Sequence, residues 1–363
     1  MDNNKYTKYF TSCKGVFQGG GCKAISYIGA YKKAYERGVF FSELAGTSAG
    51  SIIAALIAAG AAPSYLEKLV KETNFKDFIS NYDKSYLKYF FNLIIPKPYK
   101  KYSEYLSPKS IFQFYGIFKP DKIESFLETH LRNLTGLKSD VKFKDLIPNL
   151  HVVCADLKSH SIKVWNKEHT PNASVSKAVC ASCCIPFFFQ PIDNQYVDGG
   201  ILSNLPNFLF SKEPHYNRIL CFKLESQQPS YNIQSFKDFM SSLIDTIVEG
   251  SCRIQKEFNI EAYEVSIPIN NISATDFNKL NNDIIGKLIQ KGEEAMDNFL
   301  NDELTFSPLN KDHSILLQTK EQMRSLVAYI SLEQQQEIYV SSKNTHWCWE
   351  LFLSIVRWIK NES

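Results

Sequence analysis

The chain has 363 residues, of which 44% are hydrophobic and 13% aromatic, and its formal net charge is +3. This length allows one large α/β domain or two smaller ones, each with a sizeable core. The apolar fraction excludes an intrinsically disordered protein, and the nearly balanced charge argues against a nucleic acid polymer as the main partner.

Two strand–turn–helix units stand near the start of the chain. KGVFQ predicts a strand that ends in Gly19, Gly20 and Gly21, and CKAISYIGAYKKAYERG has apolar residues at helical spacing up to Gly38. FSELAG then predicts a strand, GTS a turn, and AGSIIAALIAAGA an apolar helix too short to span a membrane. Such successive units predict parallel strands joined by right-handed crossovers, with the loops at their carboxyl ends side by side.

The later segments predict more elements of the same kind. HVVCADL and SIKVW are typical of a hairpin, SVSKAVCASC of a short helix, and RILCFKL and YEVSIPI of strands, while residues 235–258 and 278–302 are typical of long helices. The chain shows neither an internal repeat nor a low-complexity linker. The pattern as a whole predicts an α/β protein.

The first turn, from Gly19 to Ala24, allows two functional interpretations. It fits the G-x-G-x-x-G/A pattern of dinucleotide-binding proteins, with Glu43 placed 22 residues after Gly21, where a ribose-binding acid would stand. Its three glycines also let successive backbone N–H groups converge at a helix N-terminus, where they bind a phosphate or an oxyanion equally well. A plain tight turn is the structural alternative.

The second turn, AGTSAG at residues 45–50, places Ser48 between Gly46 and Gly50. In a strand-to-helix elbow the neighbours of a nucleophile must be tiny, because the turn is strained and the helix passes close to the strand. Ser48 Oγ would then project at the helix N-terminus, with the N–H groups of the first turn nearby as oxyanion donors. A dehydrogenase has no use for this second elbow.

A nucleophilic serine needs a base, and one carboxylate is a strong candidate. Asp198 lies in YVDGGILSNLP, where Gly199 and Gly200 let the backbone approach closely and Asn204 closes the loop. An Asp-Gly hairpin turn is the structural alternative for this stretch. None of the seven histidines lies in a motif that would hold it at a sheet end. The two weaker histidine candidates, both in loops, are His169 and His215.

Three motifs together carry a family resemblance. FQGGGCKAISYIGA, AGTSAGSIIAAL and ASCCIPFFFQPIDNQYVDGGILSNLP, in this order and spacing, resemble the patatin-like phospholipase family over roughly residues 13–225. The resemblance implies a three-layer α/β/α fold with a central, mostly parallel sheet, and a dyad without histidine in which Ser48 is the nucleophile and Asp198 the base. The implied oxyanion loop consists of Gly19, Gly20, Gly21 and Cys22. The residues that support the motifs are Lys23, Gly46, Gly50, Gly199 and Gly200.

The sequence departs from the family pattern at two positions of the first loop. Lys23 stands where the family often has arginine, which keeps the charge but loses the planar fork. Ala24 replaces a usual glycine, so the loop is expected to be slightly tighter there. Neither change removes a reacting group.

The resemblance implies a lipid acyl hydrolase, phospholipase A or lysophospholipase in type, whose partner is a phospholipid membrane. No cofactor, metal or calcium requirement is expected. Some members of the family respond to a host protein or a small nucleotide, so an activator of either kind stays open, as in a bacterial effector or an antiviral-defence protein. A homo-oligomer stays open as well. The alternatives are a soluble esterase or acyltransferase with the same dyad, and a nucleotide-binding module that uses the turn from Gly19 to Ala24.

We expect residues 1–300 to form the catalytic domain and residues 301–363 a helical extension. Residues 84–118 hold eleven aromatic residues, six Lys and one Glu, which suits either a membrane-facing insertion or a lid packed on the core. The C-terminal THWCWELFLSIVRWIKN predicts an amphipathic helix, which more often packs on a core or in a dimer than it anchors a membrane.

The amino terminus and the cysteines predict a cytoplasmic protein, and the phospholipid substrate that the resemblance implies adds a peripheral association with membranes. MDNNKYTKYF has no apolar h-region, and no stretch reaches 18 uninterrupted apolar residues. Nine cysteines are an odd number and lie in core-like runs, which is typical of reduced, buried thiols. The cluster of Cys180, Cys183 and Cys184 lacks the second ligand pair that a zinc site needs.

Overall fold

The computed structural model describes residues 10, 12–79, 115–211, 218–225, 233–234, 236–257, 262–270 and 272–301. These residues belong to the first of the two units into which the chain divides, Met1–Thr305. Two predictions lie outside the described residues: most of the insertion or lid, at residues 84–114, and the helical extension, at residues 302–363.

Strands and helices alternate along most of the described chain. The strands are β1 (Cys13–Phe17), β2 (Phe41–Thr47), β3 (Gly116–Phe118), β4 (Asn149–Asp156), β5 (Ser161–Trp165), β6 (Phe187–Phe189), β7 (Tyr196–Asp198), β8 (Ile219–Glu225) and β9 (Tyr263–Pro268). The α-helices are α1 (Ser26–Glu36), α2 (Ala49–Ala58), α3 (Pro63–Glu72), α4 (Asp121–Thr135), α5 (Val175–Ser182), α6 (Phe236–Glu257) and α7 (Asn282–Asn301). Short 3₁₀ turns include Gly21–Ile25 and Gly199–Ile201.

A mostly parallel sheet forms the centre of the fold. Its strand order is β5-β4-β2-β1-β8-β9, and β7 pairs with β4 beside this path. The pairs β1/β2, β1/β8, β2/β4 and β8/β9 are parallel, whereas β4 pairs with β5 and with β7 in antiparallel fashion. The predicted class, an α/β fold with a central, mostly parallel sheet and flanking helices, is therefore confirmed, and so is the hairpin of β4 and β5.

The helices pack on the sheet in two groups. One group contains α1, α3 and α7, and the other contains α2, α4 and α5. Within the first group, α1 and α7 cross in close contact, with a glycine of each helix at the crossing point. A Cβ on Gly29 would lie 1.8 Å from the Ile289 carbonyl oxygen, and one on Gly292 would lie 1.8 Å from the Ser26 carbonyl oxygen. Only glycine permits this backbone approach.

Some elements differ from the sequence prediction. Helices α3 and α4 were not predicted, although both have buried apolar residues at helical spacing, such as Leu66, Leu69 and Val70 in α3. Helix α7 begins at Asn282 rather than at residue 278, because a 3₁₀ turn at Phe277–Lys279 is followed by an extended residue. Strands β3, β6 and β7 have only three residues each, too few for a periodic signal.

A half-buried ion cluster ties the amino-terminal parts of three strands together. The Glu43 carboxylate on β2 contacts Lys14 Nζ on β1, and its Oε2 atom lies 2.7 Å from His151 Nε2 on β4. The hydrogen bond from His151, with the contact from Lys14, lowers the pKa of Glu43 to about 2 even though burial opposes the shift. The ionised carboxylate therefore stabilises the native sheet.

We expect Glu43→Gln to lower the free energy of unfolding by about 2 kcal/mol at neutral pH, since it removes a charged hydrogen-bond acceptor from two partners. The native pKa lies below the ordinary 4.5. The wild-type advantage is therefore present above about pH 4.5 and is lost as the pH falls toward 2. Urea unfolding at several pH values between about 7 and 3 measures this gap. The control is Glu36→Gln, at an exposed ion pair with Lys33, which should lower the free energy of unfolding by under about 1 kcal/mol. If the loss of unfolding free energy in Glu43→Gln did not change with pH, the expectation would be contradicted.

Candidate active site

A strained elbow joins β2 to α2. Ser48 stands between the two elements with φ 52° and ψ −136°, in a region that residues with a side chain rarely adopt. The residues two positions before and two positions after it must be glycine. A Cβ on Gly46 would lie 2.6 Å from Ser51 Cα, and one on Gly50 would lie 2.4 Å from the Phe17 carbonyl oxygen. The predicted elbow geometry at AGTSAG is thus present, and it presents the Ser48 hydroxyl at the N-terminus of α2.

The structure brings Ser48 and Asp198 into direct contact. Ser48 Oγ donates a hydrogen bond of 2.6 Å to Asp198 Oδ2, and the Gly200 N–H donates one of 2.7 Å to Asp198 Oδ1. Both side chains are buried. Burial raises the pKa of Asp198 to about 6, and the hydrogen bonds from Ser48 and Gly200 limit the rise. A carboxylate with this pKa is a better proton acceptor near neutral pH than a solvated aspartate.

Strand pairing explains how Asp198 reaches a serine that lies 150 residues earlier. β2 pairs with β4 up to Thr47 opposite Val153, and the next residue of β4, Cys154, pairs with Asp198 on β7. Since β5 occupies the other edge of β4, β7 continues along the edge that β2 leaves. The last residue of β7 therefore lies beside the first residue after β2.

The glycine-rich loop after β1 lies against the nucleophile. A Cβ on Gly19 would be 3.0 Å from Ser48 Cβ. The Gly19 N–H donates to the Asn204 carbonyl oxygen at 3.0 Å, and the Cys22 N–H donates to the Ala274 carbonyl oxygen at 2.9 Å. Among the residues that the structure describes, the N–H groups of Gly20 and Gly21 have no such acceptor. Of the four predicted loop residues, these two can donate to an oxyanion without breaking a backbone hydrogen bond.

The remaining loop residues shape this turn. Gly21 has φ 54°, and a Cβ there would lie 2.0 Å from the Ala274 carbonyl oxygen, so only glycine fits. Lys23 is half-buried, and burial lowers the pKa of its ammonium group, while the carboxylates of Asp245 and Asp276 oppose this. Gly199 is equally constrained, because a Cβ would lie 2.4 Å from the Val153 carbonyl oxygen.

The competing site residues are placed elsewhere. Glu43 is bound to Lys14 and His151 at the start of β2, whereas the turn from Gly19 to Ala24 follows the end of β1, so the dinucleotide pattern lacks its acid there. The His169 ring contacts Asn166 Oδ1, at 3.1 Å, while the Ser48 hydroxyl contacts Asp198. His215 lies outside the described residues.

The described chain gives two findings on metals and membranes. Cys180, Cys183 and Cys184 are free, buried thiols, and burial raises the pKa of Cys183 well above its usual range. Within the described ranges, no three His, Cys, Asp or Glu side chains are grouped so that they could hold a metal ion. The helices described here include none that is long and apolar enough to cross a bilayer.

Sequence reasoning missed one residue at the centre of the site. Ser182, at the end of α5, accepts a 2.8 Å hydrogen bond from the Ser48 N–H and donates to the Val153 carbonyl oxygen. Its segment, ASCCIP, was used only for the order of the motifs. Nothing in that segment distinguishes Ser182 from a core-facing small residue, because its partners are 134 and 29 residues away.

Comparison with known proteins gives one family and several relatives. A family model described as patatin-like phospholipase matches residues 15–209, more than half of the chain. The uncharacterized protein YqhO of Bacillus subtilis (strain 168) is 31% identical over 306 residues, which are 79% of this chain and 97% of YqhO.

Two solved structures are more distant. VipD from Legionella pneumophila is 19% identical with a TM-score of 0.49, and the match covers 80% of this chain and 66% of VipD. The ExoU–SpcU heterodimer from the type III secretion system of Pseudomonas aeruginosa gives 19% identity, a TM-score of 0.46, and coverage of 90% of this chain and 60% of the matched one. The chain thus spans two thirds or less of these two structures.

Proposed function

Since this chain belongs to the patatin-like phospholipase family, we propose that it hydrolyses fatty acyl esters of phospholipids or lysophospholipids through a dyad of Ser48 and Asp198. Family membership makes it a lipid acyl hydrolase of the phospholipase type. The observation that supports the dyad is the 2.6 Å hydrogen bond from Ser48 Oγ to Asp198 Oδ2 at a strained elbow. Nucleophile and base in hydrogen-bond contact are the arrangement that covalent acyl transfer needs.

The proposed reaction has two halves. Asp198 accepts the proton of Ser48 as Oγ attacks the ester carbonyl, and the Gly20 and Gly21 N–H groups donate to the oxyanion that forms. The tetrahedral intermediate collapses, and Asp198 gives its proton to the leaving alcohol or lysolipid. Water then attacks the acyl-enzyme while Asp198 again accepts a proton, and the fatty acid leaves as Ser48 recovers its hydrogen.

The test uses the purified full chain with three kinds of substrate. Fatty acid release is measured from phosphatidylcholine vesicles, from lysophosphatidylcholine micelles and from a short-chain nitrophenyl ester, alongside labelling by a fluorophosphonate probe and intact mass. Labelling with lipid hydrolysis supports the proposal, and turnover of the short-chain ester alone supports the esterase alternative. A shift in melting temperature with NAD(P) but no labelling would favour a nucleotide-binding module and reject the dyad.

An activator belongs to the same proposal. If labelling begins only after anionic vesicles or a cyclic nucleotide are added, the site is opened by that addition, and the proposed dyad stands. If no condition gives labelling, the dyad proposal fails.

The pKa of Asp198 predicts the pH dependence of the reaction. The base must be ionised, so kcat/KM for an uncharged short-chain ester should be level above about pH 7 and fall tenfold per unit below about pH 6. A profile between about pH 4.5 and 8.5 measures this. The same acidic limb should remain in His169→Ala, and its loss in that variant would assign the base to histidine instead.

A further inference from the structure

We propose that Ser182 is a positioning residue that holds the elbow of Ser48 open so that Asp198 can lie beside it, an inference that rests on the proposed dyad. Its side chain is completely buried, and its hydroxyl accepts a hydrogen bond from the Ser48 N–H and donates one to the Val153 carbonyl oxygen. It therefore acts on the backbone of the nucleophile rather than on a reacting atom.

The register of β2 and β4 shows what this hydroxyl replaces. Thr47 is paired with Val153 in a parallel ladder, so the next rung would run from the Ser48 N–H to the Val153 carbonyl oxygen. The Ser182 hydroxyl bridges these same two groups. The direct backbone hydrogen bond is thus replaced by two hydrogen bonds through the Ser182 hydroxyl, which keeps the end of β2 farther from β4.

The space opened by this insertion is where Asp198 enters. Cys154, which would otherwise face Ser48, pairs with Asp198 on β7. The same turn also fixes β7, because the Asp198 N–H donates to the Cys184 carbonyl oxygen at 2.8 Å. Residues 182–184 thus set the position of both members of the pair through one hydrogen bond to each backbone.

The bonds of the Ser48 carbonyl do not replace the one to Ser182. The Ser48 carbonyl accepts from the Ser51 N–H at 2.8 Å and from Ser51 Oγ at 2.6 Å, but these bonds lie within the first turn of α2. They move with the helix and do not fix its distance from β4. Of these hydrogen bonds of the Ser48 backbone, the one to Ser182 connects it to β4, through the bond that Ser182 donates to the Val153 carbonyl oxygen.

Removing the Ser182 hydroxyl should let the Ser48 N–H form a direct hydrogen bond to the Val153 carbonyl oxygen. In Ser182→Ala the buried Ser48 N–H and Val153 carbonyl have lost their partner, so they gain by moving toward each other, which shifts Ser48 Oγ from Asp198. We expect kcat for a short-chain ester and the rate of fluorophosphonate labelling to fall about 10- to 100-fold with little change in KM. Because the bond from Ser48 lowers the pKa of Asp198, the acidic limb should also move above pH 6.

The experiment compares four chains: wild type, Ser182→Ala, Ser182→Thr and Ser176→Ala. Threonine keeps the hydroxyl and should restore most of the rate and the original acidic limb. Ser176 is a matched control, since it is also buried on α5 and donates to Glu128 Oε2 at 2.7 Å. Ser176→Ala should lower the free energy of unfolding but leave the acidic limb of the pH profile where it is in wild type. If Ser182→Ala does not fold, Ser182→Cys, which has a similar volume but a weak S–H donor, should show the same shifts to a smaller degree.

The outcomes separate this inference from the proposed function. The role of Ser182 would be overturned if the folded alanine or cysteine variant had a rate within about twofold of wild type and an unchanged acidic limb of its pH profile. In that case, labelling of Ser48 would still support the dyad. A slower rate with an unmoved limb would also overturn the role of Ser182, because that pattern indicates general destabilisation. Failure of the wild type to label at Ser48 would remove the dyad itself.

Discussion

Ser48→Ala is expected to reduce hydrolysis of phospholipid by at least about 10⁴-fold and to abolish fluorophosphonate labelling, because it removes the hydroxyl that we propose forms the acyl-enzyme. Folding should be retained, since the elbow is built from Gly46, Gly50 and the backbone of Ser48. The measurement is the initial rate of fatty acid release, with intact mass after labelling. Ser176→Ala is the control for the loss of a buried hydroxyl. Activity above about 1% of wild type would reject Ser48 as the nucleophile.

The elbow strain allows a second comparison at the same position. Glycine is ordinarily less stable than alanine in regular structure, but Ser48 has φ 52°, which glycine adopts without a Cβ penalty. Both variants lack the hydroxyl, so their difference isolates the backbone. Ser48→Gly should therefore unfold at a higher urea concentration than Ser48→Ala, by about 1 kcal/mol. The opposite order would mean that the elbow is unstrained.

Asp198→Asn is expected to lower kcat/KM by about 10³- to 10⁴-fold, since the amide has the shape of the carboxylate but cannot accept the proton of Ser48. Labelling should slow in parallel, and the remaining activity should lose its acidic limb near pH 6. Asp193→Asn is a matched control: the same chemical change five residues earlier, at an exposed carboxylate paired with Lys177. A residual rate close to wild type would show that another group takes the proton.

The same substitution should make the protein more stable at neutral and alkaline pH. Burial raises the folded pKa of Asp198 above its ordinary 3.8, to about 6. The stability that goes with this shift is present below about pH 3.8 and is lost as the pH rises through 6. Asp198→Asn avoids that loss, so its free energy of unfolding at pH 8 should exceed that of wild type by roughly 1–3 kcal/mol. The gap should close below about pH 4, and an equal gap at both pH values would contradict the assignment of the pKa.

Such opposite effects on rate and on stability are what we expect of a catalytic site. A buried carboxylate held near neutrality and a serine at positive φ both cost folding free energy. The surrounding fold offsets this through close packing, such as the crossing of α1 and α7 at Gly29 and Gly292. Strain at a functional residue is tolerated where neighbouring elements determine its conformation.

The elements that the sequence predicted are those with a local signal. β1, β2, α2 and the hairpin of β4 and β5 were predicted from apolar periodicity and glycine punctuation within one window of residues. The family followed from three ordered motifs, and the match over residues 15–209 confirms it. Short strands such as β6 and β7 have too few residues to show a periodic pattern of apolar side chains, so they were not predicted.

By itself, the sequence determined the fold class, the family and the two turns at which Ser48 and Asp198 were expected. The tertiary structure alone decided how the two meet, because their contact depends on β7 taking over the edge of β4 where β2 ends. It also decided which loop N–H groups are used within the fold, since the carbonyl oxygens of Asn204 and Ala274 accept from those of Gly19 and Cys22. Local periodicity records which face of an element is buried, but a hydrogen bond between residues more than 100 positions apart leaves no such pattern, and Ser182 could be found only in the folded chain.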